Sequence, residues 1–252
     1  MRILFLLFIG VLLAQHASAQ TGREIFEEIN RRQRRVESQR SEIDIQVTDE
    51  EGRTQTNSMV LFTKVRENSL KSLVVFTEPE DVAGTGLLTV QTPSEDTQLL
   101  YLPGLNRIQR IQGAERTERL GGSDFTFEDI SPRNPDDYDF ELFRTTEEFW
   151  IVRIRPKASA NSAYSLIVFL IDRERYAIER MDAYDEGTRV KRVVASNFVE
   201  IRPSVWQANR IEMEHVESGR RTVLTFTGRD TSAVISDDVF TEAQLRQGAG
   251  GL

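Results

Sequence analysis

Beyond residue 40 the chain alternates between apolar and polar positions. Ile43, Ile45 and Val47 are interleaved with Asp44, Gln46 and Thr48, the period of a strand with one buried face. The same period recurs at Ser58 to Val65, Leu70 to Thr77, Gly86 to Gln91, Thr97 to Leu102 and Arg107 to Ile111. After a break it returns at Phe140 to Arg144, Phe149 to Arg155, Tyr164 to Asp172 and Tyr176 to Tyr184. Arg189 to Ile201, Val205 to Val216 and Arg221 to Thr227 complete the set. The links are short and turn-forming, such as Glu186-Gly187 and Ser218-Gly219, which predicts antiparallel neighbours because parallel crossovers need a dozen residues or more. The stretch Leu166 to Ile171 is apolar on both parities and is expected to be covered on both faces. A sheet of about a dozen strands accumulates too much twist to stay flat and open; it must close or wrap a filling.

The filling is encoded ahead of the strands. From Thr21 to about Ser38 the period is helical, with Ile25, Phe26, Ile29 and Val36 near one face. Thr21 and Glu24 have capping-box spacing. Glu24, Glu27 and Glu28 stand early and Arg31, Arg32, Arg34 and Arg35 late, matching the helix dipole. That basic cluster would also suit lipid phosphates or an acidic partner. Asp237 to Leu245 reads as a short helical turn.

The extreme N-terminus follows neither period. Met1-Arg2, the apolar run Ile3 to Leu13 and Ala17-Ser18-Ala19 read as a signal peptide cleaved after Ala19. Its apolar core spans roughly 16 Å, about half the ~30 Å a membrane helix must cross. No Cys stands at the cleavage point, so there is no lipobox. The expectation is export to a bacterial periplasm of one domain, residues 20–252 of the 252.

Composition then removes much chemistry. With no Cys, disulfides, thiolate catalysis and Cys-ligated metals are excluded. Behind the leader the single histidine is His215, too little for a His-rich metal site. No Gly-rich phosphate loop is present, and no cofactor is expected. The net charge of −8 argues against a general nucleic-acid binder. Asp124, Glu128 and Asp129 are the best carboxylate group, and a helix would put Asp124 and Glu128 on one face. Caps and solvated turns explain them more simply than a glycosidase pair ~5 Å apart. His215 reads as a strand-end residue rather than a base, and Trp150 and Trp206 as core, rim or pocket residues. A non-enzymatic role is expected.

Residues 78–130 depart from simple alternation. Gly84 and Gly86 permit unusual backbone or close approach. Pro103-Gly104 ends the strand carrying Tyr101. Gly121-Gly122-Ser123-Asp124 leads into Phe125-Thr126-Phe127, read either as a glycine hinge with core phenylalanines or as a mobile flap over an apolar cavity. The phrases FTEPEDVAGTGLLT, LLYLPGLNRIQRI, GGSDFTFEDI and DDVFTEAQL resemble the LolA-like family of outer-membrane lipoprotein-sorting proteins, over nearly the whole chain. They look like the branch found with RND/MMPL-type inner-membrane transporters.

The resemblance implies a mainly β (α+β) fold: a strongly curved antiparallel half-barrel of about 11–13 strands, with an N-terminal helix and short helices filling the concave side. It implies an apolar cavity for the acyl chains of a lipid or lipoprotein, an RND/MMPL-type partner and transient contact with a membrane surface. Parity and aromatic size select Ile43, Ile45, Phe62, Phe76, Leu99, Phe125, Phe127 and Trp150 as cavity residues. Gly84, Gly86, Tyr101, Pro103, Gly121, Gly122, Ser123 and Asp124 are the hinge or lid candidates. Arg107, Arg110 and Arg116 are lid-locking candidates by position only. The alternative is a transporter-docking scaffold of the same fold whose interior is filled by side chains.

Overall fold

The computed structural model describes residues 20–250, so the leader reading lies outside the described residues. After α1 (Gly22–Gln33) come β1 (Ser38–Thr48), β2 (Thr54–Arg66), β3 (Ser69–Glu78), β4 (Gly86–Thr92), β5 (Glu95–Leu102) and β6 (Arg107–Arg110). A 3-10 turn at Gly113–Thr117 and the single-turn helix α2 (Phe127–Ile130) lead into the second run of strands. These are β7 (Tyr138–Thr145), β8 (Phe149–Pro156), β9 (Leu166–Asp172), β10 (Ala177–Asp185), β11 (Thr188–Arg202), β12 (Val205–His215) and β13 (Arg221–Asp230). A 3-10 turn at Asp237–Phe240 and α3 (Glu242–Gln247) follow.

All thirteen strands form one sheet in the order β6-β5-β4-β3-β2-β1-β13-β12-β11-β10-β9-β8-β7. Each half is a meander of antiparallel neighbours, as the short links predict. The halves join where β1 pairs with β13, placing Ile45 opposite Leu224. β6 and β7 are the two ends of the sheet, so it does not close. This is the expected half-barrel, a mostly β fold with a few short helices.

Directly opposed residues on antiparallel strands share a face, so a row can be followed across the sheet. Val152, Phe169, Met181, Val193, Met213, Thr222 and Val47 are successive partners on one face. This inner face carries α1. The capping box forms as the sequence predicts: the Thr21 N–H donates to Glu24 Oε2 at 2.7 Å and the Glu24 N–H to Thr21 Oγ1 at 3.2 Å. Ile25, Phe26 and Ile29 bury against Trp150, Val152, Ile154, Phe169 and Ile171. The Phe26 ring lies 5.4 Å from Phe140 and 5.9 Å from Phe169. The helix is shorter than its apolar period suggests. Val36 is buried but sits in a turn, its N–H returning to the Gln33 carbonyl.

A second stretch of the inner face is covered by the segment after β6. Ile111, Leu120 and Phe127 pack on Ile43, Ile45, Met59, Phe76 and Leu87. The C-terminal segment does the opposite of a concave filling. Ile235, Val239, Phe240 and Leu245 pack on Val60, Phe62, Leu73, Val75, Leu88 and Leu99, the other parity of β2–β5. That parity is the outer face. β9, in contrast, is fully buried only at Ile167, Phe169 and Ile171; the alternate residues stay half-exposed, correcting the expectation of cover on both faces.

The outer seam is tight. A Cβ added at Gly86 would stand 2.7 Å from Leu245 Cδ1, and Leu245 is wholly buried. Gly86→Ala is expected to cost about 1–3 kcal/mol through overpacking, read as a lower urea midpoint with unchanged slope. An unchanged midpoint would show that α3 docks loosely.

Candidate functional site

Where α1 and the 111–130 segment leave the inner face bare, a cleft of about 1180 Å³ opens. Leu61, Thr63 and Val65 of β2 form part of its floor, continuing the parity of Met59, which the 111–130 segment covers. Ile29, Asn30, Gln33 and Arg34 of α1 form one wall. Tyr176 and Ile178, Ala195 and Phe198, Trp206 to Ala208, Ile211, Phe226 and Arg229 come from the β10–β13 side. The Pro132 to Asp137 loop and the β4–β5 turn stand at the margin. Usual small-molecule sites occupy about 300–1,000 Å³, so this volume suits a ligand larger than a metabolite. The lining is mixed: apolar side chains alternate with Gln39, Thr63 and Gln91.

The wall made by α1 is fixed at its C-terminal end. Gln33 Nε2 donates to the Trp206 carbonyl at 3.0 Å and accepts through Oε1 from Gln207 Nε2 at 3.3 Å. Arg32 stacks 3.8 Å over the Tyr176 ring and pairs with Glu28 at 2.7 Å. Arg31 pairs with Glu28 as well, so two of the helix's late arginines are spent within the helix. Arg34 instead lines the cleft, donating to the Glu67 carbonyl at 3.4 Å.

None of the residues chosen by parity and aromatic size lies on the wall of this cleft. Ile43, Ile45, Phe76 and Phe127 are on the inner side but packed within the covered patch. Phe125 is buried in the same segment. Trp150 is buried beneath α1, with the Tyr176 ring edge-on at 4.9 Å. Phe62 and Leu99 are on the outer face under the C-terminal segment. The residues that line the cleft include Leu61, Ile211, Phe226, Trp206 and Arg229. Leu61 shares the parity of Met59, and that signal was in the sequence; nothing local distinguishes Arg229 from the other basic residues.

The hinge or lid candidates fall into two packed groups, both away from the cleft. Gly86 pairs with Tyr101 across β4 and β5, and Gly84 lies beside Pro103 and Gly248. The group Gly121 to Asp124 is bound to β13. Asp124, wholly buried, accepts from Arg220 Nε at 2.8 Å and from Thr222 Oγ1 at 2.9 Å. The Asp124 N–H donates back to Thr222 Oγ1 at 2.9 Å, and Ser123 Oγ donates to the Leu120 carbonyl at 2.6 Å.

The other two acids of this segment are equally engaged. Asp129 pairs with Lys191 at 2.7 Å and accepts from the Tyr164 hydroxyl at 2.7 Å. Burial alone would raise the Asp129 carboxyl; the Lys191 charge and the hydrogen bonds outweigh it and hold it below the ordinary carboxylate range. Burial, reinforced by the Asp129 charge, pushes the Tyr164 phenol well above its ordinary value. Glu128 accepts from the Ser162 hydroxyl and, at 3.0 Å, from the Ala163 N–H. Asp124 lies before α2 rather than within it, so it does not share a helix face with Glu128. His215 Nδ1 lies 3.2 Å from Ser218 Oγ in the β12–β13 turn, outside the cleft. Arg110 donates to Thr97 Oγ1 at 3.0 Å, and none of Arg107, Arg110 and Arg116 lines the cleft. Among the described residues no cluster of His, Asp or Glu could hold a metal ion, and no helix is long and apolar enough to cross a membrane.

Solved structures share this architecture. A domain from Vibrio parahaemolyticus described as an outer membrane lipoprotein-sorting protein is 24% identical, with TM-score 0.83 over 89% of this chain and 98% of that one. A DUF1329 family protein from Desulfovibrio piger is also 24% identical, with TM-score 0.80 over 90% of this chain and all of its own. A LolA superfamily protein from Nitrosomonas europaea reaches TM-score 0.71 at 20% identity over 90% of this chain and 100% of its own. No curated protein matches. A family model described as "uncharacterized protein" matches residues 68–247; the chain belongs to that family, and its fold is that of the LolA-like lipoprotein-sorting domains.

Proposed function

We propose that the chain is a periplasmic, non-enzymatic carrier of the acyl chains of a lipid or lipoprotein. It is one domain behind a cleaved leader, and it works with an inner-membrane RND/MMPL-type transporter in outer-membrane lipid trafficking. The observation that carries this reading is the cleft of about 1180 Å³ on the inner face, left open between α1 and the 111–130 segment. An exposed acyl chain costs roughly 0.8 kcal/mol per CH₂, so a ~16-carbon chain needs a sheltered surface to cross water. Leu61, Val65, Ile211 and Phe226 supply such a surface. The likeness in fold to a lipoprotein-sorting domain supports the same reading, as do the leader-like pattern at the N-terminus and the phrases that resemble the transporter-associated branch. The chain holds no phosphate-binding loop of its own, so the reading assigns the driving of loading to a partner or to an affinity difference between membranes.

Native mass spectrometry of protein purified from periplasm without detergent tests the reading directly. A bound species of lipid mass is expected, together with saturable uptake of a fluorescent fatty acid. Ala195 faces the cleft from β11, and Ala195→Trp is expected to cut that uptake at least tenfold while moving the melting temperature by only a few degrees. A ligand-free protein that takes up no fatty acid, yet still binds the transporter, would sink carriage and leave docking as the role.

A further inference from the structure

We propose that the ligand of this cleft is an amphiphile with an anionic head, carboxylate or phosphate, and that Arg229 receives the head while Arg133 adds positive charge at the cleft margin. This deepens the carrier reading and rests on it.

Arg229 follows Gly228 near the end of β13 and pairs in register with Ser41, on the inner face. Its guanidinium is held by two neutral acceptors on β12: Nη1 donates to Asn209 Oδ1, and Nη2 to the Ala208 carbonyl at 2.5 Å. It stacks 4.1 Å over the Phe226 ring, itself a cleft residue. Its Nε is buried and makes no hydrogen bond. A guanidinium has five donors in a planar fork that matches carboxylate and phosphate oxygens, so this one is positioned but incompletely used. Burial, with no charge opposing it, pulls its pKa down to about 10. Most arginines on the sheet surface, such as Arg192 with Asp182, have an acidic neighbour; this one, among the described residues, forms no ion pair.

Arg133, on the loop at the cleft margin, repeats the pattern. Its Nη2 reaches only Met181 Sδ at 3.8 Å, and its Nε is buried without a partner. Asp96, Asp136 and Asp137 also line the cleft; Asp136 pairs with Arg23 at 2.5 Å, and Asp137 accepts from Ser159 Oγ at 2.6 Å. Two arginines with spare donors, apolar neighbours and no acid of their own are suited to an anion that arrives with a hydrocarbon tail.

The test displaces a neutral dye, Nile red, from the delipidated full chain with hexadecanoate, hexadecyl phosphate or hexadecanol, at one pH and salt concentration. The anions are expected to act at concentrations at least tenfold below the alcohol, and the better of the two identifies the head. Arg229→Gln is expected to shrink the anion-to-alcohol ratio at least fivefold, and Arg133→Gln to shrink it less. If Arg229→Gln does not fold, the wild-type ratio and Arg133→Gln decide. Equal potency of alcohol and anions in the wild type, or a ratio untouched by both substitutions, overturns the anionic head while the carrier reading stands. Failure of all three to displace the dye, with no lipid seen by native mass spectrometry, removes the carrier reading itself.

Discussion

Asp129→Asn is expected to destabilise the protein by about 3–5 kcal/mol, because it removes one partner of a buried ion pair and leaves the other charged. The Asp129 and Lys191 side chains are 2% and 8% exposed. Oδ2 of Asp129 also accepts from the Thr126 N–H and hydroxyl at 2.9 Å, so the carboxylate caps α2 as well as neutralising Lys191. A carboxamide cannot offset the Lys191 charge, and its NH₂ would face a donor on one side or the other. The double variant Asp129→Asn/Lys191→Met should recover much of the loss, since apolar replacement of a buried pair is often close to neutral. The pH dependence has a definite sign. The folded-state pKa of Asp129 lies below the ordinary value of 3.8, so its stabilisation is fully present above about pH 4 and is lost as pH falls through the depressed value. Urea unfolding at pH 7 and down a series to pH 3 measures both effects. A loss under about 1 kcal/mol at pH 7 would mean that Lys191 finds water in the folded state and that the clamp is not a clamp.

Gly121→Ala is the second large effect, about 2–5 kcal/mol. Gly121 has φ +56°, where an L side chain costs roughly 1–2 kcal/mol. An added Cβ would also stand 2.6 Å from Cζ of Phe76, with two further ring atoms at 3.2 and 3.3 Å. Phe76 is almost wholly buried between Met59 and Leu87, so the ring has no room to retreat, and overpacking adds roughly 1–3 kcal/mol. Gly122 has φ +74° but nothing within 4 Å of its Cβ position, so Gly122→Ala carries only the backbone cost and serves as the control. Thermal unfolding of the two variants side by side separates strain from crowding. Equal losses would show that the Phe76 contact yields and that only the backbone matters.

Both predictions bear on how the 111–130 segment serves the cleft. Asp124 ties it to β13, Asp129 ties it to β11, and Glu128 ties it to the 162–163 loop. To swing as a flap it would have to break two buried ion pairs together. In this structure it fills one end of the inner face and leaves the other end open.

The residues chosen for chemistry were therefore less legible than the fold, and for a specific reason. Alternation at Met59 to Val65 shows that β2 has two faces, but both are buried over part of its length, one under the 111–130 segment and one under the C-terminal segment. Aromatic size then selects Phe62, which belongs to the outer face, over Leu61, which belongs to the cleft.

Local pattern alone was enough for what local forces decide. The capping box at Thr21 and Glu24, the strand periods, and the two-residue turns that force antiparallel neighbours all act within a few residues, and all appear in the structure. The curl follows from strand number. Three features required the folded chain: the pairing of β1 with β13, the partners of Asp124, 96 and 98 residues away, and the span of inner face left uncovered by the described residues. A void is the absence of a contact, and an arginine such as Arg229 becomes a candidate ligand only when no acid has packed against it. Such absences are set by the whole of the packing around them, and no window of sequence contains that.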